Sequence, residues 1–141
     1  NAELKDLSKA LLCVENGIML GNSICLKLKG DIYYHGIYGE TNLEKSYNFY
    51  TEAADKNNSK AFLQLAYMNY YNEIKNASID SAIKYLEKAI QFGENQAYFD
   101  LALIYLDKEF DKYNLEKSIK YLKLSAKNGN AEADLILQKI Q

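Results

Sequence analysis

Proline, tryptophan and arginine are all missing from this chain of 141 residues, and histidine occurs once. Each gap excludes something. A sheet protein of this size ordinarily places proline at turns and strand edges, whereas packed helices can do without it. All 17 basic residues are lysine and the net charge is −2. Phosphate recognition leans on basic patches and forked guanidinium contacts, so a nucleic-acid binder is disfavoured. One histidine, His35, rules out a histidine-rich zinc site. Two cysteines, Cys13 and Cys25, lie outside any Cys-x-x-Cys spacing. No apolar run reaches the roughly 18 residues that cross a bilayer. The length suits one domain with a real core.

What is present is tyrosine, 13 of them, and a repeat. Asn42-Leu-Glu-Lys-Ser46 aligns with Ser78-Ile-Asp-Ser-Ala82 and Asn114-Leu-Glu-Lys-Ser118 at a constant 36-residue offset, and the same period backwards reaches Asp6. Asp6, Asn42, Ser78 and Asn114 are all residue types that cap a helix N-terminus by accepting from an orphan N–H. Fifteen residues on stand Gly21, Asn57, Gly93 and Gly129, types that tolerate the left-handed conformation closing a helix. Cap, helix and stop therefore recur in phase, and the segment between them is expected to be one helix of each unit, helix B.

The columns inside it have helical spacing. Small residues (Ala10, Ser46, Ala82, Ser118) precede bulky ones (Cys13/Phe49/Tyr85/Tyr121 and Val14/Tyr50/Leu86/Leu122), then small ones return (Gly17, Ala53, Ala89, Ser125). After each stop a second helix, A, begins with Cys25, Ala61, Ala97 or Ala133, and carries Lys29-Gly30, Leu65-Ala66 and Leu101-Ala102. Its apolar column is Ile32, Met68, Ile104 and Ile140. The expected division is a half repeat at 1–21, repeats at 22–57, 58–93 and 94–129, and a terminal helix A at 130–141. Such hairpins cannot bury an apolar face alone and must stack. Cys13 and Cys25 fall in inward columns on neighbouring helices, as core thiols or as a disulfide.

The pattern Ala-x-x-x-Leu-Ala/Gly-x-x-Tyr, a short loop, then Lys-Ala/Ser-x-x-Tyr-Leu-x-x-Ala-x-x-x-Gly resembles the Sel1-like repeat, a relative of the tetratricopeptide repeat. Residues 97–129 carry it most fully, through Ala97, Leu101, Ala102, Tyr105, Lys117, Ser118, Tyr121, Leu122, Ser125, Ala126 and Gly129. Residues 61–93 depart at Asn69, which stands where a tyrosine is expected, and residues 25–57 depart at Lys29. The resemblance implies an all-α, right-handed superhelical α/α solenoid of stacked antiparallel helix pairs, with helix A lining a concave face. It also implies a scaffold or adaptor role.

No catalytic constellation or cofactor motif is visible, so a non-catalytic protein that binds another protein or peptide is expected, with no cofactor and no metal. Carrying the repeat's geometry over by column, the groove would be lined by Tyr34, His35, Leu63, Tyr67, Tyr70, Tyr71, Phe99 and Leu103, with Tyr67, Tyr70, Tyr71 and Phe99 as anchors. Tyrosine offers a broad, rigid contact area with a polar tip, the chemistry favoured at interfaces. A second reading is a self-assembling segment of a longer array, a homo-oligomer through its terminal helices. Their apolar stripes are Leu7, Leu11, Val14 and Ile18, and Leu135, Ile136 and Ile140. A third, a β-lactam-binding or -hydrolysing relative of secreted cysteine-rich Sel1-like proteins, sits poorly with one cysteine pair in the whole chain. No targeting signal is visible. The cytoplasm is slightly favoured, and the periplasm and secretion stay open.

Overall fold

The computed structural model describes residues 2–140, apart from the side chain of Leu4; Asn1 and Gln141, the outermost residues of the expected terminal half units, lie outside the described residues. Eight α-helices follow one another: α1 (Ala2–Met19), α2 (Ser23–His35), α3 (Leu43–Asp55), α4 (Ser59–Tyr70), α5 (Ile79–Gln91), α6 (Gln96–Leu106), α7 (Leu115–Lys127) and α8 (Ala131–Ile140). There is no strand among the described residues. Helices adjacent in the chain pack antiparallel, most closely α2 on α3, α4 on α5 and α6 on α7, with α1 most loosely held. The chain is an all-α solenoid.

The caps explain the boundaries. Asn42, Ser78 and Asn114 each accept at their side-chain oxygen from the backbone N–H three residues on, at 2.9, 3.1 and 2.9 Å. Asp6 does not share this role, because α1 already runs from Ala2. Residues 2–5, Ala-Glu-Leu-Lys, are strong helix formers that carry the helix past it. At the other end Gly21, Asn57, Gly93 and Gly129 all take positive φ, at 76°, 61°, 94° and 93°. Each helix then reverses through the same pair of backbone hydrogen bonds, for example Gly93 N–H to Ile90 O and Glu94 N–H to Ala89 O.

The core follows the small and bulky columns. Ala66 faces Leu86 and Ala102 faces Leu122 as column partners, and all four are buried. In the first hairpin the same pair of columns holds Gly30 and Tyr50. A Cβ on Gly30 would stand 2.5 Å from the Tyr50 ring, so the missing methyl is what lets a buried tyrosine replace leucine. The Tyr50 hydroxyl donates to Asp31 Oδ1 at 2.7 Å, and Lys27 holds Asp31 Oδ2 at 2.7 Å. A buried polar tip is thus satisfied.

Cys13 and Cys25 are both free; Cys25 is half-buried, as an inward column requires, but Cys13 is exposed. The loose packing of α1 leaves Cys13 outside the core, since α2 alone is packed closely on it.

Candidate functional site

The expected contact residues separate into three groups. Tyr67, Tyr70, Tyr71 and Leu103 converge on one pocket between α4 and α6, with a volume of about 120 Å³. Its remaining walls are Ala66, Ala82, Leu86, Ile104 and Asp100. Tyr34 and His35 sit at the C-terminal end of α2, ring edge to ring face at 5.0 Å, and the Tyr34 hydroxyl donates to Glu73 Oε1 at 2.8 Å. Leu63 and Phe99 are only 9% and 7% exposed. They therefore offer no contact surface, contrary to their expected place in the groove. Both occupy a helix A column that turns inward: Leu63 joins the main core, and Phe99 packs with Leu122 and Ala133 of α7 and α8.

The pocket is apolar below and aromatic around its rim. Tyr71 is 64% exposed and Leu103 41%. Tyr70 holds its place through edge-to-face contacts with Tyr71 at 5.0 Å and Phe110 at 5.8 Å. Such pairs contribute about 0.5–1.5 kcal/mol beyond the area they bury, enough to fix the rim before any partner arrives. The Tyr67 hydroxyl donates to Asp100 Oδ2 at 2.8 Å, and Gln96 Nε2 donates to Oδ1 at 3.2 Å.

Burial and acidic surroundings shape the titration here. Burial pushes the Tyr67 phenol well above its ordinary range, and the Asp100 charge adds to that. Tyr70 is raised by burial first and by Asp107 second. Burial with a hydrogen bond to Glu73 takes Tyr34 up to about 12. Tyr71 adds to the rise of all three, so the four phenols share one neighbourhood. Asp100 is also raised: burial outweighs the opposing bonds from Tyr67 and Gln96, and Glu94 reinforces it. At neutral pH the phenols of Tyr34, Tyr67 and Tyr70 are neutral donors with apolar faces, a binding chemistry rather than a proton-transfer one.

Sequence reasoning missed Asp100. The available signal was its isolation: it is the one charged residue of α6, Gln96–Leu106. Among the described residues no group of histidine, cysteine, aspartate and glutamate is placed to hold a metal ion, and no described helix is long and apolar enough to cross a membrane.

The repeat units of this fold match the family model "Sel1 repeat" at residues 30–58, 59–91 and 95–130. The chain belongs to the Sel1 repeat family. No curated protein matches the chain. Among solved structures, a Sel1 repeat protein from Oxalobacter formigenes superposes with a TM-score of 0.83 at 20% identity over 93% of this chain and 54% of its own. A protective antigen of uropathogenic Escherichia coli strains that displays an SLR fold gives 0.78 at 23% identity, over 92% of this chain and 28% of its own. This Sel1 repeat chain thus spans about half of the first relative and just over a quarter of the second. At these identities the likeness is one of fold.

Proposed function

We propose that this Sel1 repeat chain is a non-catalytic protein-interaction adaptor that binds a peptide or a partner helix along the face made by α2, α4 and α6. The observation that carries the reading is the convergence of Tyr67, Tyr70, Tyr71 and Leu103 on one pocket. Large, ordered aromatic rims around a pocket are where interface energy concentrates. A pocket of about 120 Å³ is below the roughly 300 Å³ at which small-molecule sites begin. It suits one side chain of a larger partner. On this reading the units divide as 22–57, 58–93 and 94–129, flanked by half units at 1–21 and 130–141.

Affinity capture from the native source, followed by calorimetry with the captured partner, tests this. Tyr70→Ala with Tyr71→Ala is expected to weaken binding by about thirtyfold, the scale of a hot spot. Unaltered binding would overturn the groove.

A second reading, self-assembly through the terminal helices, has its own observation. Leu12, Met19, Leu20 and Ile24 are 60%, 85%, 88% and 61% exposed along α1, the turn after it and the start of α2, and Leu135 on α8 is 56% exposed. Light scattering against concentration decides it: a dimer abolished by Leu20→Glu supports assembly, and a strict monomer supports the adaptor.

A further inference from the structure

We propose that the pocket between α4 and α6 is a recognition pocket for one lysine or arginine side chain of the partner, its stem lying among Tyr67, Tyr71 and Leu103 and its cationic tip reaching Asp100. The inference rests on the groove reading and names what the groove selects.

Three independent observations support it. First, the geometry is that of a single side chain: a cavity of roughly 150 Å³ holds one benzene, and this one is about 120 Å³ with an apolar floor of Ala66, Ala82, Leu86 and Ile104. Second, the charge is one-sided. Asp100 lines the wall, and the charges acting on it and on Tyr67 and Tyr70 come from Glu94, Asp100 and Asp107. No lysine lines the pocket. Asp100 makes no ion pair among the described residues, whereas Asp31 is held by Lys27 at 2.7 Å. Its two bonds come from the neutral donors Tyr67 and Gln96, and each carboxylate oxygen can accept one more. A part-buried carboxylate without a cation is costly, and burial accordingly raises its pKa.

Third, some tyrosines of this chain already take a lysine over the ring. Lys45 sits over Tyr33 at 5.2 Å, Lys117 over Tyr105 at 5.0 Å and Lys108 over Tyr113 at 5.9 Å. Among the described residues no lysine is placed over Tyr67, Tyr70 or Tyr71. These are rings with an attractive face for a cation, beside a carboxylate with spare capacity, and they have none from their own chain. An incoming lysine or arginine satisfies both at once. An apolar side chain would fill the space and leave the part-buried Asp100 without a counter-charge.

Panning a random linear-peptide library on the biotinylated chain tests the idea. Enriched peptides are expected to share one lysine or arginine. Replacing it with norleucine should weaken binding by about tenfold, the scale of a charge-assisted hydrogen bond. Asp100→Asn should weaken the parent peptide by the same factor and abolish the preference over norleucine, while calorimetric unfolding shows the variant folded. Exchanging lysine for arginine in the peptide separates the two: a bidentate partner gains from arginine, a point charge does not. Peptides without a basic residue that still lose binding to the Tyr70→Ala, Tyr71→Ala variant would overturn the cation and leave the groove standing. So would a norleucine penalty that is the same in Asp100→Asn. A library that enriches nothing, or only peptides indifferent to the tyrosine variant, would overturn both.

Discussion

The hairpin α4–α5 closes differently from its two neighbours, α2–α3 and α6–α7. In α2–α3, Tyr33 stacks on Phe49 with centroids 5.6 Å apart and planes 2° apart, under the Lys45 ammonium. In α6–α7, Tyr105 stacks on Tyr121 at 5.9 Å and 5°, under Lys117. The backbone of the tyrosine also takes part: Asn42 N–H donates to Tyr33 O at 2.9 Å and Asn114 N–H to Tyr105 O at 2.7 Å. In α4–α5 the three positions hold Asn69, Ser81 and Tyr85. Asn69 is buried and works through its side chain, donating to Leu65 O at 2.8 Å and accepting from Ser78 N–H at 3.4 Å. Tyr85, without a stacking partner in its own hairpin, turns its hydroxyl to Tyr47 at 3.4 Å and leans on Phe62. An aromatic stack and a polar clamp are two solutions to one problem, namely joining the end of one helix to the start of the next. The polar one depends on a single amide with both ends engaged.

The largest effect separating these solutions is expected at high pH. Burial raises the phenols of Tyr50, Tyr67, Tyr85 and Tyr121, and takes Tyr34 up to about 12, from an ordinary value of 10.0. The folded chain holds these protons more tightly than the unfolded one, so stability is complete below pH 10.0 and falls as pH rises through 12. Ultraviolet difference absorbance should show one set of phenols ionising while circular dichroism stays native, and the rest ionising together with loss of helix. Burial is the larger cause of the Tyr85 rise, so Tyr47→Phe, which removes the bond that adds to it, should lower the pH at which Tyr85 ionises without bringing it into the earlier set. A single titration step with no dependence on Tyr47 would contradict the picture.

Breaking the polar clamp comes next. Asn69→Leu strands the Ser78 N–H beside an apolar side chain, at a cost of about 2–3 kcal/mol, read from urea unfolding. A loss under 0.5 kcal/mol would mean that the 3.4 Å bond carries nothing. In the first hairpin, Gly30→Ala pushes a methyl into the Tyr50 ring. Overpacking costs about 1–3 kcal/mol against a helix-propensity gain of about 1 kcal/mol, so a net loss is expected. Leucine at position 50 should recover it, because Ala66 with Leu86 and Ala102 with Leu122 already show that combination fitting.

Converting the clamp into a stack sharpens the comparison further. Asn69→Tyr with Ser81→Lys rebuilds the flanking arrangement around Tyr85. The two changes should couple favourably by about 0.5–1 kcal/mol in a double-mutant cycle, the scale of an ammonium over an exposed ring. Zero coupling would show that the lysine over the ring contributes nothing to closing the hairpin.

The sequence made these hairpins legible because their geometry is paid for in residue type. A cap needs a short side-chain oxygen and a left-handed stop needs glycine or asparagine, so period and helix order could be read directly. Gly30 and Tyr50 were each assigned to a column, but their pairing emerged only from the structure. The site was less legible. Tyr67, Tyr70, Tyr71 and Leu103 were placed by column, but Leu63 and Phe99 occupy a column whose direction depends on how far one hairpin is rotated against the next. That angle comes from packing between units, and one hairpin's sequence does not encode it. Asp100 was overlooked for a related reason: its partner Tyr67 is 33 residues away, a distance that bridges two helices A and leaves no local trace. Asp6 shows the opposite error. A good cap type fails to cap when the residues before it propagate a helix equally well.

The smallest expected effect is that of Asn57→Gly, at the one helix B stop where asparagine stands among glycines. Asn57 has the same reversal as Gly21, Gly93 and Gly129, with its N–H bonded to Ala54 O at 2.8 Å and the next N–H to Ala53 O at 3.1 Å. The hydrogen bonds being alike, Asn57→Gly changes only the preference of the residue for positive φ. Asparagine tolerates that region and glycine adopts it freely, so a gain of about 0.5 kcal/mol is expected. The converse, Gly93→Ala, adds a Cβ that meets nothing within 4 Å. Any loss there is conformational strain alone, of about 1–2 kcal/mol. Thermal unfolding of the two variants measures both. A destabilised Asn57→Gly would show that the asparagine side chain makes a contribution at this stop that the shared backbone geometry does not contain.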